Sequence, residues 1–228
     1  MLSEPASALT DLLLGAVAVG LAVRIGSRID LTPHWRRMFW WTAAAALAGS
    51  VHHGFVTGSA RWTDRSWLVV TFLVVVAISY LLAASVDEVL GSGHARTFWV
   101  LRSASLVAYV AVALTVGASI GAILLCEGMT MMAVLALWGV GISRGHPRAR
   151  AVAVAIVASV VAAVIRALPA DLVAPTGLNP TSLYHLAQIP GLILLFLAAA
   201  ARDPTDEPNP SGPHTGSDGL VDRRRPVS

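Results

Sequence analysis

Lysine is missing from this chain: all sixteen basic residues are arginines. A single cysteine, Cys126, lies inside an apolar run, so neither an intramolecular disulfide nor a cysteine metal cluster is available. Charge is scarce as well. Only 13% of the 228 residues are charged while 56% are hydrophobic, and the mean hydropathy of +0.70 excludes a domain whose whole surface faces water. The opening MLSEPASALTD carries Glu4 and Asp11 but no basic stretch before the first apolar run, so a cleavable signal peptide is not expected and the first span stays in the mature protein. No glycine-rich phosphate loop sits in a strand-to-helix setting, which argues against a nucleotide enzyme. No internal repeat stands out, which argues against an inverted-repeat transporter.

What is present is a series of long apolar runs. A helix rises about 1.5 Å per residue and the hydrocarbon layer is roughly 30 Å thick, so each span needs about 20 mostly apolar residues. Runs near 6–25, 37–57, 66–86, 98–117, 120–142, 149–168 and 182–201 meet that requirement. The sequence therefore predicts an all-α fold, a seven-helix transmembrane bundle over residues 1–201. The remainder, 202–228, is rich in Pro, Gly, Ser and Asp and reads as a disordered cytoplasmic tail. The isoelectric point of 9.7 points to orientation and not to a nucleic-acid partner. With the N-terminus outside, thirteen arginines fall on the cytoplasmic side and only Arg61, Arg65 and Arg166 outside, so the positive-inside rule favours N-out and C-in. Lysine-free, alanine-rich composition is that of a GC-rich bacterial genome, and the expected location is the bacterial cytoplasmic membrane.

An ionisable group inside the bilayer costs several kcal/mol unless paired or hydrated, which makes each one a functional candidate. Five stand out: Asp11 in the first span, His52 and His53 in GSVHHGF ending the second, Glu127 in the fifth and His185 opening the seventh. All fall in the outer half of the expected bundle, so one shared polar cavity is possible. Adjacent helical residues point about 100° apart, so His52 and His53 cannot both face the same axis, whereas Ser50 and His53 share a face. His185 and Gln188 share a face by the same spacing, just before Pro190, which should kink the helix. Each has a plainer reading: Asp11 in the headgroup layer, His52 as an interfacial histidine, Glu127 hydrogen-bonded between helices. Met129, Met131 and Met132 read as packing, Arg102 as snorkelling inward, and Arg166 with Asp171 as an outer-loop ion pair.

Seven spans, a Ser/His pair near the end of span two, an acidic residue opening span three and a histidine opening span seven resemble the alkaline ceramidase and adiponectin-receptor superfamily of heptahelical hydrolases. The segments SEPASALTD and LYHLAQIPG are similar to an uncharacterised bacterial group loosely associated with it. The resemblance implies a zinc site and a water that attacks a lipid amide or ester. It makes His53 the span-two ligand, His185 a span-seven ligand and Asp64 in RWTDRSW the acidic partner. Two positions depart from that pattern. Ser50 precedes His53 by three residues where the family has four, leaving Gly49 in the serine's place, and Thr181 stands where the family has its other span-seven histidine. Two histidines and a carboxylate still make a zinc site that leaves a fourth position for water. Asp11, Asp64 and Glu127 are the candidate carboxylates, with Asp11 or Gln188 also able to orient a ligand histidine. The expected catalytic group is then Asp64, Ser50 and Glu127, the expected metal group His53, His185 and Asp11, and the expected partner a membrane lipid. A non-enzymatic bundle whose polar cluster binds a small ligand, handles protons or locks the helices is the alternative.

Overall fold

The computed structural model describes residues 3–27, 33–116 and 120–201. The tail from 202, with Arg223, Arg224 and Arg225, and the loop holding Arg28 lie outside the described residues. Among the described residues there are eight α-helices and no strand. They are α1 (Pro5–Gly26), α2 (Pro33–Val51), α3 (Ala60–Leu90), α4 (Ala95–Val116), α5 (Ile120–Ser143), α6 (Ala149–Arg166), the single turn α7 (Ala170–Val173) and α8 (Pro180–Ala200). Five segments, Pro5–Gly26, Arg61–Leu90, Leu125–Ser143, Ala149–Arg166 and Pro180–Ala200, are long and apolar enough to cross a membrane. This is the pattern of a helical membrane protein.

Local chemistry sets several boundaries. Proline opens α1, α2 and α8, where its missing N–H leaves no intrahelical bond unmade. The Asn179 side chain caps α8 by accepting from the Ser182 N–H at 2.7 Å. α8 continues as one helix through Pro190. α2 does not stop at Val51 but widens into a π-turn, His52–Val56, closed by the Thr57 N–H donating to the His52 carbonyl.

The helices pack in a closed order, α1 on α2, α2 on α3, α3 on α5, α5 on α6, α6 on α8 and α8 back on α1, with α4 lying against α3 and α5. Small residues permit the close approaches. A Cβ at Gly191 of α8 would sit 2.9 Å from Ser159 Oγ and 3.3 Å from the Ser159 backbone nitrogen in α6, the spacing that small-residue faces allow between membrane helices. The apolar core includes Trp35, Phe39, Leu82, Trp138 and Ile156. Outward faces are apolar too, as at Val107 and Leu114 of α4, which suits a lipid solvent.

Candidate metal centre

At one end of the bundle three helices bring ligand-type atoms together. Asp11 comes from the second turn of α1, His53 from the π-turn after α2 and His185 from the second turn of α8. All three are buried, and one ligand atom from each lies within 4.8 Å of the others. His185 Nε2 is 3.3 Å from Asp11 Oδ1, and His53 Nε2 is 3.9 Å from Asp11 Oδ2. Ligands about 2 Å from a shared ion are at most about 4 Å apart, so a closing of under about 1 Å would seat a metal.

The π-turn resolves the adjacent histidines. One extra residue in the turn shifts the direction in which the next side chains point, and His52 and His53 are both buried but serve different neighbours. His52 turns to α3, with Nδ1 2.7 Å from Ser66 Oγ and its ring against Trp67. His53 turns to α1 and α8, its ring 6.0 Å from that of His185.

The partners set the tautomers. Glu4 Oε2, 2.8 Å from His53 Nδ1, only accepts as a carboxylate, so Nδ1 carries the proton. Thr10 Oγ1, whose single proton points to the Ala6 or the Ser7 carbonyl, lies 3.3 Å from His185 Nδ1 and is free to accept from it. With Nδ1 of each ring turned to these partners, the Nε2 atoms of both face the Asp11 carboxylate. Two imidazole nitrogens and a carboxylate in one buried space call for a cation or a proton between them. The donor set, two imidazoles and a carboxylate with each imidazole held from behind, is one that zinc accepts.

Room for Asp11 is made by Gly49. A Cβ there would overlap Asp11 Oδ2, so a serine at this position, as in the ceramidase-like pattern, has no space while Asp11 occupies it. The chain folds tightly around this point: the Glu4 N–H donates to the His53 carbonyl at 3.0 Å and the Ser3 N–H to that of Gly54 at 2.9 Å. These two bonds bring Glu4 to His53.

The other expected site residues lie elsewhere. Asp64 is exposed near the start of α3. Ser50 donates to the Ala8 carbonyl at 2.9 Å, tying α2 to α1. Gln188 donates to the Tyr184 hydroxyl at 2.6 Å, so Thr10, and not Gln188, orients His185. Glu127 belongs to a second polar cluster. Arg102 does not snorkel; it is 2% exposed and pairs with Glu127, Nη2 to Oε1 3.3 Å. Its remaining Nη donors reach Thr130 Oγ1 at 2.8 Å, Ser105 Oγ at 3.2 Å and the Val75 carbonyl at 2.9 Å. The expected Arg166–Asp171 pair is not among the ion pairs of the described residues; Asp171 stands exposed in the first turn of α7.

Glu4 and Thr10 are the site residues that sequence reasoning missed. Glu4 precedes Pro5, outside the apolar run, and Thr10 is one residue from Asp11; the signal for both was an acidic and hydroxyl-bearing segment at the depth of the histidines. No curated protein and no solved structure matches the chain. The model of a family of unknown function, DUF6962, matches residues 6–204, and the chain belongs to that family.

Proposed function

We propose that this protein is a seven-span membrane hydrolase with its N-terminus outside, holding one zinc ion on Asp11, His53 and His185 and cleaving an amide or ester of a lipid in the outer leaflet. The observation that carries the reading is the convergence of two buried Nε2 atoms on one buried carboxylate. Zinc held by such a donor set keeps a position for water, acidifies that water toward neutral pH and polarises a carbonyl. The protein's own residues fix the geometry. Glu4 and Thr10 hold the two imidazoles by their Nδ1 atoms, Gly49 leaves space for the Asp11 carboxylate, and burial among α1, α2 and α8 limits access of bulk water. Thr181 has no nitrogen donor, and Asp11 brings the ligand number to three without it. The likeness of the spans and histidines to ceramidase-like hydrolases supports the substrate class, and the arginine distribution supports the orientation and a location in the bacterial cytoplasmic membrane.

Elemental analysis of detergent-purified protein tests the metal. Wild type is expected to carry about one zinc per chain, and His53→Ala, His185→Ala and Asp11→Asn to lose it. Release of fatty acid from N-acyl and O-acyl lipids by the zinc-loaded protein, abolished in the same variants, tests the chemistry. Zinc-free wild type would overturn the metal reading; stoichiometric zinc with no acyl release from either lipid class would overturn hydrolysis and leave a metal-binding or metal-stabilised bundle.

A further inference from the structure

A second feature lies at the opposite, arginine-rich end. A cavity of about 400 Å³ opens between α2, α3 and α4, within the roughly 300–1,000 Å³ of small-molecule sites. Its floor is one face of α3, since Val76, Tyr80, Ala83 and Asp87 recur at helical spacing. Eleven residues separate the first from the last, which is about 16 Å along the helix axis. The cavity is thus a groove running along the helix, apolar at Val76 and Ala83, walled by Phe98 of α4, and polar at the end where His34 of α2 meets Asp87.

Charge at the polar end is basic. Asp87 is engaged by His34, Nε2 to Oδ2 3.2 Å. Glu88 is drawn away from the groove by Trp35 Nε1 at 2.6 Å and Arg148 Nη1 at 3.3 Å. The Arg37 guanidinium lies 5.7 Å from the Tyr80 ring centre, and Arg96 follows Ala95, which lines the mouth, in the first turn of α4. Both arginines are exposed, and among the described residues no carboxylate pairs with either. The start of a 22-residue helix at Ala95 adds the positive end of its dipole.

An apolar groove parallel to a membrane helix, with one exposed arginine over the ring of its lining residue Tyr80 and another next in sequence to Ala95 at its mouth, fits one occupant. We propose that this groove is a binding site for a single anionic phospholipid, one acyl chain lying along α3 between Val76 and Ala83 and the phosphate meeting Arg37 and Arg96. The leaflet concerned rests on the orientation proposed above; the lipid class does not, and neither depends on the metal.

Native mass spectrometry of the full-length, detergent-solubilised protein tests it, with phosphatidylglycerol and phosphatidylcholine of identical chains as probes. Wild type is expected to retain one phosphatidylglycerol with a preference of about tenfold or more, since each arginine near an anionic headgroup contributes on the order of 1 kcal/mol. Arg37→Ala with Arg96→Ala is expected to bring phosphatidylglycerol down to the phosphatidylcholine level. Ala83→Leu and Ala83→Trp, which fill the groove, are expected to lower retention in proportion to the volume added while the zinc content stays that of wild type. Equal retention of both lipids by wild type would overturn the anionic assignment. An undiminished phosphatidylglycerol preference in a folded Ala83 variant would overturn the groove.

Discussion

At the scale of single residues, the centre is defined by groups that bear no metal themselves. A ligand histidine binds well only when its far nitrogen is held, and loss of such a partner costs about 10–100-fold in metal affinity. Glu4→Ala, which frees His53 Nδ1 from its 2.8 Å bond, is therefore expected to weaken zinc binding by that range in a competition titration against a chelator. Glu4→Gln keeps an acceptor oxygen and is expected to fall between it and wild type. An unchanged affinity in Glu4→Ala would leave Glu4 a capping residue only. Gly49 makes a sharper case, because the group it spares is the proposed ligand Asp11. In Gly49→Ala the new Cβ meets Asp11 Oδ2 and the carboxylate must turn away, so zinc is expected to be lost from a bundle that still folds. Full zinc occupancy in Gly49→Ala would show that Asp11 does not depend on the space Gly49 leaves it.

At the scale of elements, the buried pair Arg102–Glu127 fastens α4 to α5 and, through the Val75 carbonyl, to α3. Removing one member of a buried pair strands the other and costs about 3–5 kcal/mol, whereas replacing both by apolar groups is often close to neutral. Arg102→Met alone is expected to lower the melting temperature in detergent markedly, and Arg102→Met with Glu127→Leu to recover most of it. A single variant that melts with the wild type would show that the pair contributes no net stability. The same pair shows how far sequence reading reaches. Apolar run length was enough to find the seven long helices, because run length is a property of each segment. Only five segments among the described residues are long and apolar enough to cross a membrane, and the short α7 was not foreseen. Arg102 was assigned to the wrong environment, because seven residues into α4 a snorkelling arginine and a paired one look alike until a partner on another helix is known. Asp11, His53 and His185 were visible as costly residues at one depth. Their convergence was not, since it depends on helix rotation and on a π-turn, which no periodicity announces, and the hydroxyl and carboxylate behind the histidines looked like ordinary segment-end polarity.

At the scale of the whole molecule, the two ends of the bundle differ in charge and in contents. Asp11, His53 and His185 meet where α1 begins and α2 ends, while the groove bounded by His34 and Asp87 lies where α2 begins and α3 ends. The proposed metal centre and the proposed lipid groove therefore lie at opposite ends of the bundle, and the orientation decides which leaflet each one meets. The orientation proposed above, from positive-inside asymmetry, puts the arginine-rich end in the cytoplasm. The lone Cys126 is buried, so Cys126→Ala supplies a background in which single reporter thiols can be read. Arg61→Cys stands at an exposed position near the start of α3, and Gly93→Cys in the exposed turn between α3 and α4, where an added Cβ meets nothing within 4 Å. On intact cells a membrane-impermeant maleimide is expected to label the first and not the second, and permeabilisation to expose the second. The reverse pattern would turn the molecule over and put the metal centre in the inner leaflet. Labelling of both on intact cells would place α3 on one side of the membrane, which is incompatible with a span of this length and hydropathy.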